Sequence, residues 1–132
     1  MKARSVLAWL CRLAVAIGSF LVSAYGVYSY LGADFARDML AMGLYCALPL
    51  LCFPVFLLSF KSLRWSVTLH WMLAVAYLAV YSALDWRTCS ESGYCVSVTQ
   101  TLLQTLTARP VEAVFGVALF NLAALILQRK AR

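Results

Sequence analysis

Four apolar stretches, each about as long as a membrane crossing, account for most of this chain. They run from about residue 6 to 31, from 39 to 60, from 65 to 84 and from 111 to 128. At 1.5 Å of helical rise per residue, roughly 20 apolar residues cross the ~30 Å hydrocarbon layer of a bilayer. Backbone N–H and C=O groups in that layer need partners within the protein, which leaves helices or a closed barrel. Barrel strands alternate apolar with polar residues, and that alternation is absent here. The pattern predicts an all-α integral membrane protein, a four-transmembrane-helix bundle formed by residues 1–132 as a single membrane domain. Composition agrees, with 64% apolar and 12% charged residues where soluble domains carry about 25% charged. A water-soluble globule of this size could not hide that much apolar side chain.

The net charge of +6 is unevenly placed. Lys2, Arg4, Arg12, Lys61, Arg64, Arg129, Lys130 and Arg132 lie at the termini and in the short 61–64 connection, without an acid among them. Asp34, Asp38, Asp85, Glu91 and Glu112 fall in or beside the other two connections, with Arg37, Arg87 and Arg109. Lys and Arg in short loops stay cytoplasmic. The expected topology is therefore N-in and C-in across a bacterial inner membrane, with residues 32–38 and 85–110 periplasmic. Charge that alternates between the two sides does not make a nucleic-acid patch. Tyr25, Tyr28, Tyr30, Tyr81 and Trp86 fall near the expected outer boundary and Trp9 and Trp65 near the inner one, where amphipathic rings prefer to lie. Lys2, Arg4, the apolar run and Val22-Ser23-Ala24 outline a signal peptide. Apolar sequence continues through Tyr30, however, so the first span is expected to be retained.

Helices in lipid associate through small residues rather than through the hydrophobic effect. The first span offers Ala14, Gly18, Ser19 and Ser23, the third Ala79 and Ala83, and the fourth Ala113, Gly116 and Ala123. Pro49 and Pro54 each remove a backbone donor and should bend the second span.

The longest connection, 85–110, holds Cys89 and Cys95, the two cysteines expected outside. Five intervening residues that include Gly93 let the chain turn back, and an oxidising periplasm favours a structural disulfide there. Val98, Leu102, Leu103 and Leu106 recur at helical spacing, which predicts a short periplasmic amphipathic helix over about 97–107. Cys11, Cys46 and Cys52 lie within the spans, where a thiol acts as a small hydrophobe.

Polar residues at membrane depth are costly and are functional candidates by default. Three stand out. Asn121 needs a hydrogen-bond partner from another helix, His70 could titrate, and Arg12 can reach the headgroups as an anchor. No paired intramembrane carboxylate, two-histidine haem site, phosphate loop or HExxH motif is present, so neither metal nor cofactor is expected.

The expected function is non-catalytic: binding of another membrane or periplasmic protein, as an accessory subunit or an immunity-type protein. Some immunity proteins against pore-forming toxins provide a topological analogy, with four spans and both termini inside. Asp85, Trp86, Arg87, Glu91 and Tyr94 are the expected contact residues, and self-association stays open. A thiol–disulfide redox protein using Cys89/Cys95 is a rival, although it lacks the reactive CxxC of quinone-linked four-helix enzymes. A small transporter or flippase-type subunit is another; it would want an acid embedded in an early helix, and Glu112 lies near the surface of the last one.

Overall fold

The computed structural model describes residues 2–32, 39–93 and 108–131, with the backbone alone for 87–92 and 131. The described chain forms α1 (Lys2–Gly32), α2 (Met39–Leu50), α3 (Cys52–Leu58), α4 (Leu63–Ser92) and α5 (Arg109–Ala131). With α2 and α3 taken as one bent rod, four helices are long and apolar enough to cross a membrane. Their outward faces are apolar too. Phe20, Leu21, Met72, Val75, Leu119 and Phe120 are among the exposed large side chains, a surface that water would not tolerate on a monomer.

The rods form a ring in which α1 packs on α5, α5 on α4, α4 on α2–α3, and α2–α3 on α1. Cross-contacts give the directions. Arg12 meets Ser59 while Tyr25 meets Tyr45; Ser66 meets Val55 while Tyr77 meets Tyr45; Asn121 meets Ser66 while Phe115 meets Trp71. Each rod is thus antiparallel to its chain neighbour. The bundle has a basic end, with the start of α1, the end of α5 and the turn at 59–62, and a tyrosine end, with Tyr25, Tyr45, Tyr81 and Arg109.

The second span is broken where its prolines predict. Pro49 stands inside α2, and Leu51 separates α2 from α3. Pro54 has no N–H to offer the Leu50 carbonyl. Ser23 of α1 repairs the gap: its Oγ lies 3.2 Å from both the Pro49 and Leu50 carbonyls and accepts the Phe53 amide at 3.1 Å. One hydroxyl from a neighbouring helix thus serves three backbone groups that lipid could not. The two helices come close enough for this because residue 26 is glycine. A Cβ there would stand 2.9 Å from Leu50 Cγ and 3.0 Å from the Cys46 carbonyl oxygen.

Two expectations about the bundle need correction. Ala79 and Ala83 face outward, and the α4 contacts are made instead by Ser66, His70, Ala74 and Tyr77. The helix carrying the third span also runs beyond residue 84, through Ser92. No proline or glycine interrupts 85–92, so nothing in the sequence stops the helix where the hydrocarbon would. Gly93, at φ 75°, ends it in the left-handed conformation that glycine adopts most freely. The last helix begins with Pro110 and Glu112 in its first turn and ends with Arg129 and Lys130, each suited to its helix pole.

Candidate functional site

Two polar clusters lie inside the ring. The first joins α3, α4 and α5 towards the basic end. Asn121 Nδ2 donates to Ser66 Oγ at 3.1 Å and to His70 Nδ1 at 2.7 Å. With Nδ1 accepting, the imidazole carries its proton on Nε2, which faces the Cys52 carbonyl at 3.1 Å. Ser66 Oγ passes its own proton to the Val55 carbonyl at 2.8 Å. That carbonyl is open because the Ser59 amide turns to Phe56, one residue nearer, as α3 ends. Ser66, His70 and Asn121 are each at most 1% exposed. The two branches from Asn121 end on backbone carbonyls, so each donor in them finds an acceptor inside the bundle, as a polar core must to avoid the cost of an unpaired group.

The second cluster lies at the tyrosine end. Tyr25 and Tyr45 share a hydroxyl–hydroxyl bond of 2.8 Å. The Tyr45 ring stacks on Tyr77 at 5.8 Å, and Tyr81 lies 5.8 Å from Tyr45 and 6.0 Å from Tyr77. This cluster is not closed. Tyr77 is 1% exposed, yet its hydroxyl has no hydrogen-bond partner among the described residues. Such a group costs roughly 1–3 kcal/mol when left unmade.

A crevice of about 660 Å³ adjoins the tyrosines. Its walls are α1 and α5, with Tyr77, Tyr81 and Pro49 behind. Ala14 and Gly18 on one wall and Ala113 and Gly116 on the other make room by their small size. At Gly18 the walls nearly meet, since a Cβ there would lie 2.8 Å from Val117 Cγ2; at Gly116 a Cβ would touch nothing within 4 Å. Leu21 and Phe120 line the crevice and are exposed on the bundle's exterior, so it opens sideways. Arg109 is its charged lining residue. The volume falls within the usual range of small-molecule sites, and the lining is apolar with few polar groups, as such sites are.

The residues singled out in the sequence separate accordingly. His70 and Asn121 come together in the closed cluster. Arg12 lies elsewhere, half-buried at the basic end, with its guanidinium 3.4 Å from Ser59 Oγ and 5.2 Å from the centre of the Phe60 ring. It ties α1 to the end of α3 through a hydrogen bond and a cation–π contact. Asp85 and Trp86 stand at the tyrosine end of α4. The side chains of Arg87, Cys89 and Glu91, the whole of Tyr94 and Cys95, and the amphipathic helix expected over 97–107 lie outside the described residues. Among the described residues, Cys11, Cys46 and Cys52 are free thiols, and no cluster of three metal-ligating side chains occurs.

The crevice itself was missed. Ala113 and Gly116 look in sequence like packing residues, and only the helix register shows that they face a void. No protein-family model matches the chain, and neither a curated protein nor a solved structure resembles it.

Proposed function

We propose that the chain is a non-catalytic, multi-pass inner-membrane protein that works by binding a membrane-associated partner at its tyrosine end. Both termini face the cytoplasm in this reading, because the bases gather at one end of the bundle and short basic loops are retained there. The observation that carries the binding reading is the contrast between the two ends. One holds the His70–Asn121–Ser66 hydrogen-bond network; the other has an open crevice with the outer ends of α4 and α5 beside it. Asp85, Trp86, Arg87, Glu91 and Tyr94 would form the partner contact, from the last turns of α4 into the connection that follows. A Cys89–Cys95 disulfide would stiffen that connection, and the left-handed turn at Gly93 between the two cysteines supports such a reversal of the chain.

Topology is tested by reporter fusions: alkaline phosphatase joined after Gly93 is active and after Arg132 inactive, and the reverse pattern removes the orientation. Partner contact is tested by placing a photocrosslinking amino acid at Trp86 or Trp65. A discrete adduct from Trp86 and none from Trp65 supports the reading; the opposite result sinks it. Alkylation of the denatured chain from oxidising cells should spare Cys89 and Cys95 until a reductant is added, and free labelling of both ends the disulfide proposal.

A further inference from the structure

We infer that the crevice between α1 and α5 holds one acyl chain of an anionic phospholipid, with the phosphate at the tyrosine end beside Arg109. This rests on the reading of the chain as membrane-inserted, and it names a ligand for the crevice that is separate from the protein partner.

Size decides against a helix as the occupant. A helix about 10 Å across with 1.5 Å rise takes roughly 120 Å³ per residue, so 660 Å³ admits only some five residues, about one and a half turns. A partner's span, or this chain's own 97–107 segment folded as a helix, could at most lie across the mouth and leave the space behind it unfilled. A methylene takes about the volume of a water molecule, roughly 30 Å³. Roughly twenty methylenes would fill the space, which suits one lipid chain.

Depth agrees. The lining on α5 extends from Arg109 to Phe120, eleven residues or roughly 16 Å of helix. That is about half of the ~30 Å hydrocarbon layer, the reach of one leaflet. The lining cation stands at the boundary end of this track and the apolar residues Val117 and Phe120 at the deep end. A phospholipid has the same order of groups, with an anionic phosphate above an apolar chain. Glu112, one turn from Arg109, is exposed and does not line the crevice.

The test uses the full chain in phosphatidylcholine vesicles doped with phosphatidylglycerol carrying a diazirine on its acyl chain. After irradiation, labelled residues are located by mass spectrometry. Labelling at Leu21 and at 113–120 should exceed that at the exposed but remote Met72 and Val75 several-fold. It should also exceed labelling by the same diazirine on phosphatidylcholine. Gly116→Phe should reduce the crevice label to the Met72 level, and Ala113→Leu provides a second, smaller filling of the same space. Arg109→Gln should keep the label and abolish the preference for phosphatidylglycerol. Uniform labelling of all lipid-facing helices, or a crevice label indifferent to both filling variants, overturns the inference; equal labelling by the two lipids overturns its anionic headgroup. The Trp86 photoadduct, scored separately, distinguishes the two proposals: its persistence while the crevice label fails leaves the partner reading intact, and its loss while the label stands removes only that reading.

Discussion

The His70 cluster and the tyrosine cluster both place polar side chains inside an apolar bundle, and they treat those groups in opposite ways. In the first, Asn121 donates to Ser66 and His70, and these in turn donate to the carbonyls of Val55 and Cys52. In the second, Tyr25 and Tyr45 share a hydrogen bond, while the Tyr77 hydroxyl packs near that of Tyr45 without a well-formed bond among the described residues. The difference is one of packing as much as of bonding. Around Asn121 the side chains close up, with Ala118 and Ala124 fully buried on either side along α5. Beside Tyr77 the facing helices carry alanine and glycine, and the space between them is unfilled. A closed polar core holds helices in register where apolar contact with lipid cannot. The tyrosine cluster instead leaves room beside it for something else to bind.

The largest expected effect breaks the closed cluster. Asn121→Leu removes the donor to Ser66 Oγ and to His70 Nδ1, leaving the ring nitrogen buried without a partner. The bundle should lose about 1–2 kcal/mol, seen as a lower unfolding midpoint in a detergent denaturation series. Ser66 would keep its bond to Val55, so the loss should stop short of abolishing the fold. A variant as stable as the parent would mean that the circuit adds nothing and that the two clusters do not differ in kind.

Tyr77→Phe should act with the opposite sign. Removing a polar group that has no partner takes away a desolvation cost, so stability should stay level or rise by up to about 1 kcal/mol. A clear loss would show that the hydroxyl is bonded, and the contrast between the clusters would fall.

How much of this could be read in the sequence depends on how local the signal is. Four apolar spans and the proline break follow from runs of apolar residues and from Pro49 and Pro54 themselves, because length and backbone donors are properties of a single segment. The need of Asn121 for a partner was legible in the same way, since an amide at that depth must bond. That the partners are Ser66 and His70 was not, because it depends on the register of α4 against α5. Ser23 illustrates the same limit: it has the look of a small packing residue, and its repair of the Pro54 gap depends on where a different helix loses its ladder. The crevice is the extreme case. A void is made by residues that fail to reach each other, and Gly18 and Gly116 look alike in sequence while one sits at a tight crossing and the other faces open space.

Those two glycines provide the finest test of the comparison. In the interior of a helix, glycine is less favourable than alanine by roughly 0.5–1 kcal/mol, through the freedom it gives the unfolded chain. The effect of adding a methyl is then set by what the new Cβ meets. At Gly116 it meets nothing within 4 Å, so Gly116→Ala should leave the midpoint unchanged or raise it by an amount worth about 0.5 kcal/mol. At Gly18 the methyl would stand 2.8 Å from Val117 Cγ2, and the valine must turn or the helices separate. Gly18→Ala should therefore lose whatever propensity gains, for no net benefit or a small loss, and the two variants should differ in sign under the same detergent titration. If Gly116→Ala is instead the more damaging in detergent free of phospholipid, the space beside it is occupied in the folded protein by part of the chain itself. The tyrosine end would then be as closed as the His70 cluster.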